Sequence, residues 1–236
     1  TVTGNFWAVY KLGSGTTTLQ VPFGTQAGSG GVQVKSGTLV LSNTATTNAS
    51  GGPNLVQSGA TLRLNNAGTN TNNRLTARAV TLQGGTFDFV ANNSTETSGA
   101  LLIDQGGSTI NSGGTGTSAL TFASLSTPSA GGTLNLTGTF GTATNFVKFM
   151  TAPTLVPATT GLLSRITTNG NEFATYNATN GLVSFTGYSA ASNILSAGVT
   201  QSFRATTSTS NSLTANATLN ACLLYTSDAA DDLTRV

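Results

Sequence analysis

The stretch Gly37-Thr38-Leu39-Val40-Leu41 is written repeatedly along this chain, and no other feature limits the fold so tightly. It returns as Ala60-Thr61-Leu62-Arg63-Leu64, Gly85-Thr86-Phe87-Asp88-Phe89, Ser108-Thr109-Ile110 and Gly132-Thr133-Leu134-Asn135-Leu136. The apolar residue after each Thr falls at 39, 62, 87, 110 and 134, in steps of 23, 25, 23 and 24 residues. A weaker copy, Thr18-Leu19-Gln20-Val21, precedes the first. A steady period in this range is the mark of a stacked repeat architecture.

Thr-Leu-x-Leu alternates polar and apolar residues, the period of a strand with one buried face. A shorter strand comes before it in each unit, at Val32–Val34, Leu55-Val56, Val80–Leu82 and Leu101–Ile103. Between the two lies a polar corner: Lys35-Ser36-Gly37, Gln57-Ser58-Gly59, Gln83-Gly84-Gly85 and Asp104-Gln105-Gly106-Gly107. Glycine there predicts a bend with positive φ, and the glutamines are expected to stack as a ladder. The Thr/Asn/Ser/Gly runs 42–53, 65–73 and 91–99 read as outer turns. The predicted fold is all-β, a parallel β-helix or β-solenoid with rungs of about 20–25 residues. One rung buries too few side chains to offset the ordering of its backbone, so the rungs stand only as an array.

Composition narrows the function. Charged residues are 7 %, His is absent, and Thr numbers 45. Low charge with patterned apolar residues is not the signature of disorder, and abundant Thr suits strands. Residues 222–236, opening Cys222-Leu223-Leu224-Tyr225-Thr226-Ser227, break the style and resemble the in-frame translation of a transposon-end adapter used in DNA library preparation. They are read as a non-native tail and set aside from the reading of the fold. Without them eight basic and four acidic residues and no thiol remain. That is too thin a charge for a nucleic-acid face. No run of about 18 apolar residues suits a membrane span. The opening Thr1-Val2-Thr3, without an initiator Met, marks an expected piece of a longer protein.

Four domains are expected: solenoid repeats over 1–152, a small antiparallel β-meander within 153–190, resumed solenoid over 191–221, and the non-native tail 222–236. The meander is read near 158–188 as strands Leu162–Thr167, Glu172–Tyr176 and Leu182–Phe185. Asn169-Gly170 and Asn180-Gly181 lie in its connections as hairpin signals. Beyond it, Val199–Phe203 and Ser212–Ala215 read as strands.

The repeats Ser36-Gly37-Thr38-Leu39-Val40-Leu41 and Gly131-Gly132-Thr133-Leu134-Asn135-Leu136 resemble those of autotransporter-associated β-strand repeat proteins. Asn171-Glu172-Phe173-Ala174-Thr175-Tyr176, followed by Asn180-Gly181-Leu182-Val183, resembles a segment between repeat groups of such proteins. The resemblance covers about 20–220. It implies a bacterial secreted or surface-displayed passenger, outside the cell, with no catalytic residues to carry over. Glycans, neighbouring cell-surface material and flanking repeats of the same parent chain are the expected partners.

Catalytic, cofactor-binding and metal sites are expected to number none. The candidate carboxylates are Asp88, Glu96, Asp104 and Glu172. Glycoside hydrolysis usually needs two within roughly 5–10 Å, and these fall on different parts of the repeat. Each is therefore expected to be a solvated surface charge, with Asp88 pairing Arg63 or Lys35. Without His or a native Cys, the imidazole and thiolate metal sets and a Ser-His base pair are unattainable, and no cofactor is expected. Two alternatives stand beside the structural and adhesive reading. One is a fragment of a β-helical carbohydrate-active enzyme. The other is a carbohydrate-binding module around Trp7 and Tyr10, although Phe6-Trp7-Ala8-Val9-Tyr10 is expected rather to close the end of the core.

Overall fold

The computed structural model describes residues 5–25, 30–47, 52–158, 161–189, 201–205 and 221–224, which form strands and connections with no helix among them. The strands stack in parallel on successive sides of a coil. The first side holds β2 (Ala8–Lys11), β5 (Gly31–Val34), β7 (Asn54–Gln57), β9 (Val80–Gln83) and the start of β11 (Leu101–Phe122). The second holds β3 (Thr16–Leu19), β6 (Gly37–Leu41), β8 (Ala60–Asn65), the start of β10 (Thr86–Ser98), the middle of β11, β12 (Gly132–Gly138) and β14 (Ile166–Thr168). A third side, built by the ends of β10 and β11 and by β13 (Asn145–Phe149), completes the later coils. β1 (Asn5–Phe6) and β4 (Gly24–Thr25) form a separate parallel pair.

Equivalent side chains therefore line up in columns. Leu39, Leu62, Phe87 and Ile110 oppose one another in successive strands and are all buried. The next member is Leu136 rather than the expected Leu134, which instead faces Ser108. The two positions differ by one full strand period, so both point inward and both are buried. On the first side Val34, Val56, Leu82 and Ile103 make a second buried column. The corner glycines take the positive φ that the repeat demands, 65° at Gly37 and 80° at Gly84. At Gly37 a Cβ would collide with the carbonyl oxygens of Gly13 and Gly15, so the bend also requires close backbone approach.

The run 91–99 departs from its reading as an outer turn. Residues 94–98 are strand, with Ser94, Glu96 and Ser98 inward and buried and Thr95 and Thr97 between them. A polar inner face had disguised a strand. Aromatic rings fill the same side further on, where Phe122 lies 6.1 Å from both Phe87 and Phe149 by ring centroids.

The meander forms as β14, β15 (Glu172–Asn177) and β16 (Gly181–Ser184), paired antiparallel in sequence. Asn169 and Gly170, with φ of 52° and 72°, make its first turn. β14 also pairs in parallel with β12, so the meander continues the solenoid sheet and turns it back on itself. Tyr176 ties it to the last coil, donating from its hydroxyl to the Phe149 carbonyl at 3.1 Å and accepting from the Phe149 amide at 3.2 Å. Beyond the meander, β17 (Ser202–Ala205) and β18 (Ala221–Leu224) pair in parallel, and Cys222 opposes Phe203. The strand expected at Ser212–Ala215 lies outside the described residues.

Candidate functional site

The four candidate carboxylates occupy four separate environments, and two of these correct the expectation of solvated charge. Asp88 is only 4 % exposed. It bridges coils, accepting from Arg63 Nε at 2.6 Å on one side and from Asn111 Nδ2 at 2.9 Å on the other. The register explains this directly, because Arg63, Asp88 and Asn111 are successive Cα partners. Asp104 accepts from Gln83 Nε2 at 2.7 Å, and Gln57 Nε2 reaches Gln83 Oε1 at 3.4 Å. The expected glutamine ladder therefore runs along the corner and ends on a carboxylate.

Glu96 departs furthest from expectation: it is fully buried. Its carboxylate accepts the backbone N–H of Arg74 at 2.7 Å and of Leu75 at 3.0 Å, both one coil back. Arg74, also fully buried, continues the joint. Its guanidinium donates to the carbonyls of Ala45, Asn43, Asn65 and Thr69 at 2.8–3.2 Å and to Asn66 Oδ1 at 2.7 Å. One carboxylate and one guanidinium thus saturate backbone groups that no strand partner reaches. Burial pushes the Glu96 carboxyl up to about 7, while the Leu75 and Arg74 amides and the Arg74 charge pull against it. Burial likewise lowers the Arg74 guanidinium, with Glu96 opposing.

Glu172 lies in the meander. It accepts from the Tyr188 hydroxyl at 2.8 Å and pairs with Arg204, whose guanidinium stands 4.8 Å over the Tyr188 ring. Burial, with the neighbouring Glu172 carboxylate, pushes the Tyr188 hydroxyl up to about 12. Among the described residues no group of three or more Asp, Glu, His or Cys side chains converges as a metal set. Nor is any helix there long and apolar enough to cross a membrane.

The aromatic stretch near the start reverses its expected role. Trp7 is 74 % exposed and Tyr10 54 %, so neither closes the core. Strand alternation is the reason: Val9 and Lys11 take the inward positions of β2. Lys11 is buried, and its ammonium donates to the Leu12 and Gly13 carbonyls at 2.9 and 2.6 Å and to Ser36 O at 3.2 Å. Outside, Lys35 Nζ lies 5.2 Å from the Tyr10 ring centroid. No protein-family model, curated protein or solved structure matches the chain.

Proposed function

We propose that this chain is a non-catalytic structural and adhesive passenger segment of a larger bacterial protein, exported and displayed outside the cell. The autotransporter-associated β-strand repeat proteins that it resembles supply the address. One observation carries the reading. Three of the four candidate carboxylates are engaged coil to coil, Asp88 and Asp104 in the Arg63–Asp88–Asn111 and Gln57–Gln83–Asp104 ladders and Glu96 on backbone amides one coil back, while Glu172 is paired within the meander. Groups so spent stiffen a rod; they do not converge on a substrate. Long faces of Thr, Ser and Asn between them suit many weak contacts with hydrated, uncharged surfaces.

The test is adhesion without turnover. Beads coated with the chain should bind polysaccharide-bearing cells, and the same polysaccharides should keep their length on prolonged incubation. Depolymerisation would replace this reading with the enzymatic one. Protease shaving of intact producer cells should release peptides of the repeat; protection of all of them would refute the extracellular address. A second reading, a glycan-binding module at the first coil, is favoured by the exposure of Trp7 and Tyr10. Loss of adhesion on Trp7→Ala alone would establish it.

A further inference from the structure

We propose that the groove where β12 and β14 part is a binding subsite for one neutral pyranose unit of a polysaccharide. The proposal rests on the adhesive reading above and locates it.

The groove follows from strand divergence. β12 and β14 run in parallel, with Leu136 opposite Thr168, and then their continuations separate. Gly138, at φ 96°, turns the first chain away; a Cβ there would strike the Ser112 carbonyl, so only glycine makes this bend. The Thr139 amide then donates to that same carbonyl at 2.6 Å. The second chain enters the hairpin at Asn169, at φ 52°, whose amide donates to Leu136 O at 2.8 Å. Val183 and Ser184 of β16 complete the lining. The depression is open to solvent, with a volume of about 350 Å³, so it would seat one face of a sugar ring rather than engulf it.

Its lining has the composition a sugar ring requires. Phe140 is half-buried, packs against the core and is among the residues that line the groove. An aromatic surface of this kind suits the C–H face of a pyranose. Beside it stand the Asn169 amide and the Thr139 hydroxyl, both exposed and without a side-chain hydrogen bond among the described residues. The Ser184 hydroxyl shares a 2.7 Å bond with Thr168 and keeps further capacity. No charged residue lines the space, so it favours a neutral hexose over a uronic acid or a phosphorylated sugar.

The experiment is calorimetric titration of the chain with neutral cello-, malto- and manno-oligosaccharides, repeated on four variants. Saturable binding of at least one series is expected. Phe140→Ala should weaken it about tenfold or more, and Thr139→Val and Asn169→Gly several-fold. Glycine tolerates the positive φ of position 169, so Asn169→Gly removes the side chain without straining the turn and remains informative if Phe140→Ala loosens the fold. Trp7→Ala should leave the affinity unchanged. No binding in any series overturns the subsite, as does binding that survives Phe140→Ala and Asn169→Gly. Bead adhesion by the Asn169→Gly variant separates the two proposals. Adhesion at the parent level alongside failed titration sinks the groove and keeps the adhesive reading, whereas absent adhesion by the unaltered chain sinks the adhesive reading itself.

Discussion

Where residues 66–78 close the third side of one coil, no strand forms, and Arg74 with Glu96 supplies the missing hydrogen bonds from within. From the next coil on the same side is strand, and two and three coils later Phe122 and Phe149 stack in its core with ring planes 28° apart. The first solution joins neighbouring coils by ionic side chains reaching backbone atoms. The second joins them by ladder bonds and ring contact. The comparison teaches that a β-solenoid can skip a strand if buried charge replaces its hydrogen bonds, and that the replacement brings titration with it.

Removing the guanidinium should show the largest effect. Arg74→Ala leaves Glu96 buried without its counter-charge and four carbonyls without a donor, and a loss of roughly 3–5 kcal/mol is expected in urea unfolding. A loss under about 1 kcal/mol would mean that the joint is dispensable. Truncating the middle ring of the aromatic region should cost somewhat less. Phe122→Ala is expected to lower stability by about 3–4 kcal/mol in the same measurement, through lost burial and a residual cavity. Unlike the polar joint, its effect should not vary between pH 5 and 8, because no titrating group is involved.

The pH dependence distinguishes the two regions next. Glu96 is raised from 4.5 in the unfolded chain to about 7 in the fold, so the proton favours the folded state. Its contribution should be complete below about pH 4.5 and lost as pH rises through about 7, a change on the order of 3 kcal/mol. Thermal unfolding scanned across that window should show a falling Tm, and Glu96→Gln should flatten the profile. A Tm that rises over the same window would reverse the sign and refute this account of Glu96. The smallest effect belongs to the outer surface. Arg63 is 46 % exposed in its side chain, so Arg63→Ala should cost at most about 1 kcal/mol. Asp88 would keep its bond from Asn111.

These contrasts also show what the sequence could disclose. The columns through Leu39, Leu62, Phe87 and Ile110 were readable because alternation fixes which face is buried. The pairing of Ile110 with Leu136 was not, since alternation cannot tell apart two registers that differ by two residues. The positive-φ corners and the glutamine ladder followed from Gly and Gln recurring at one point of the period. Residues 94–98 were misread because Ser94, Glu96 and Ser98 carry the inward pattern in polar residues. Their signal lay in alignment with Ser118, Leu120 and Phe122, their partners in β11. Arg74 was not recognisable at all, as its partners are backbone carbonyls scattered from 43 to 69. The groove at Phe140 and Asn169 depends on where two strands separate, and no repeat records that.

The meander changes how the array comes apart. Among the described residues, β2 and β3 each have a strand neighbour on a single side. Beyond β13, hairpins fold back over the last coil and are stitched by the Thr168–Ser184 and Tyr176–Phe149 bonds. Within these coils amide exchange should therefore be slower beside the hairpins than at β2 and β3, and an opening that starts at β2 should halt where it meets the hairpins.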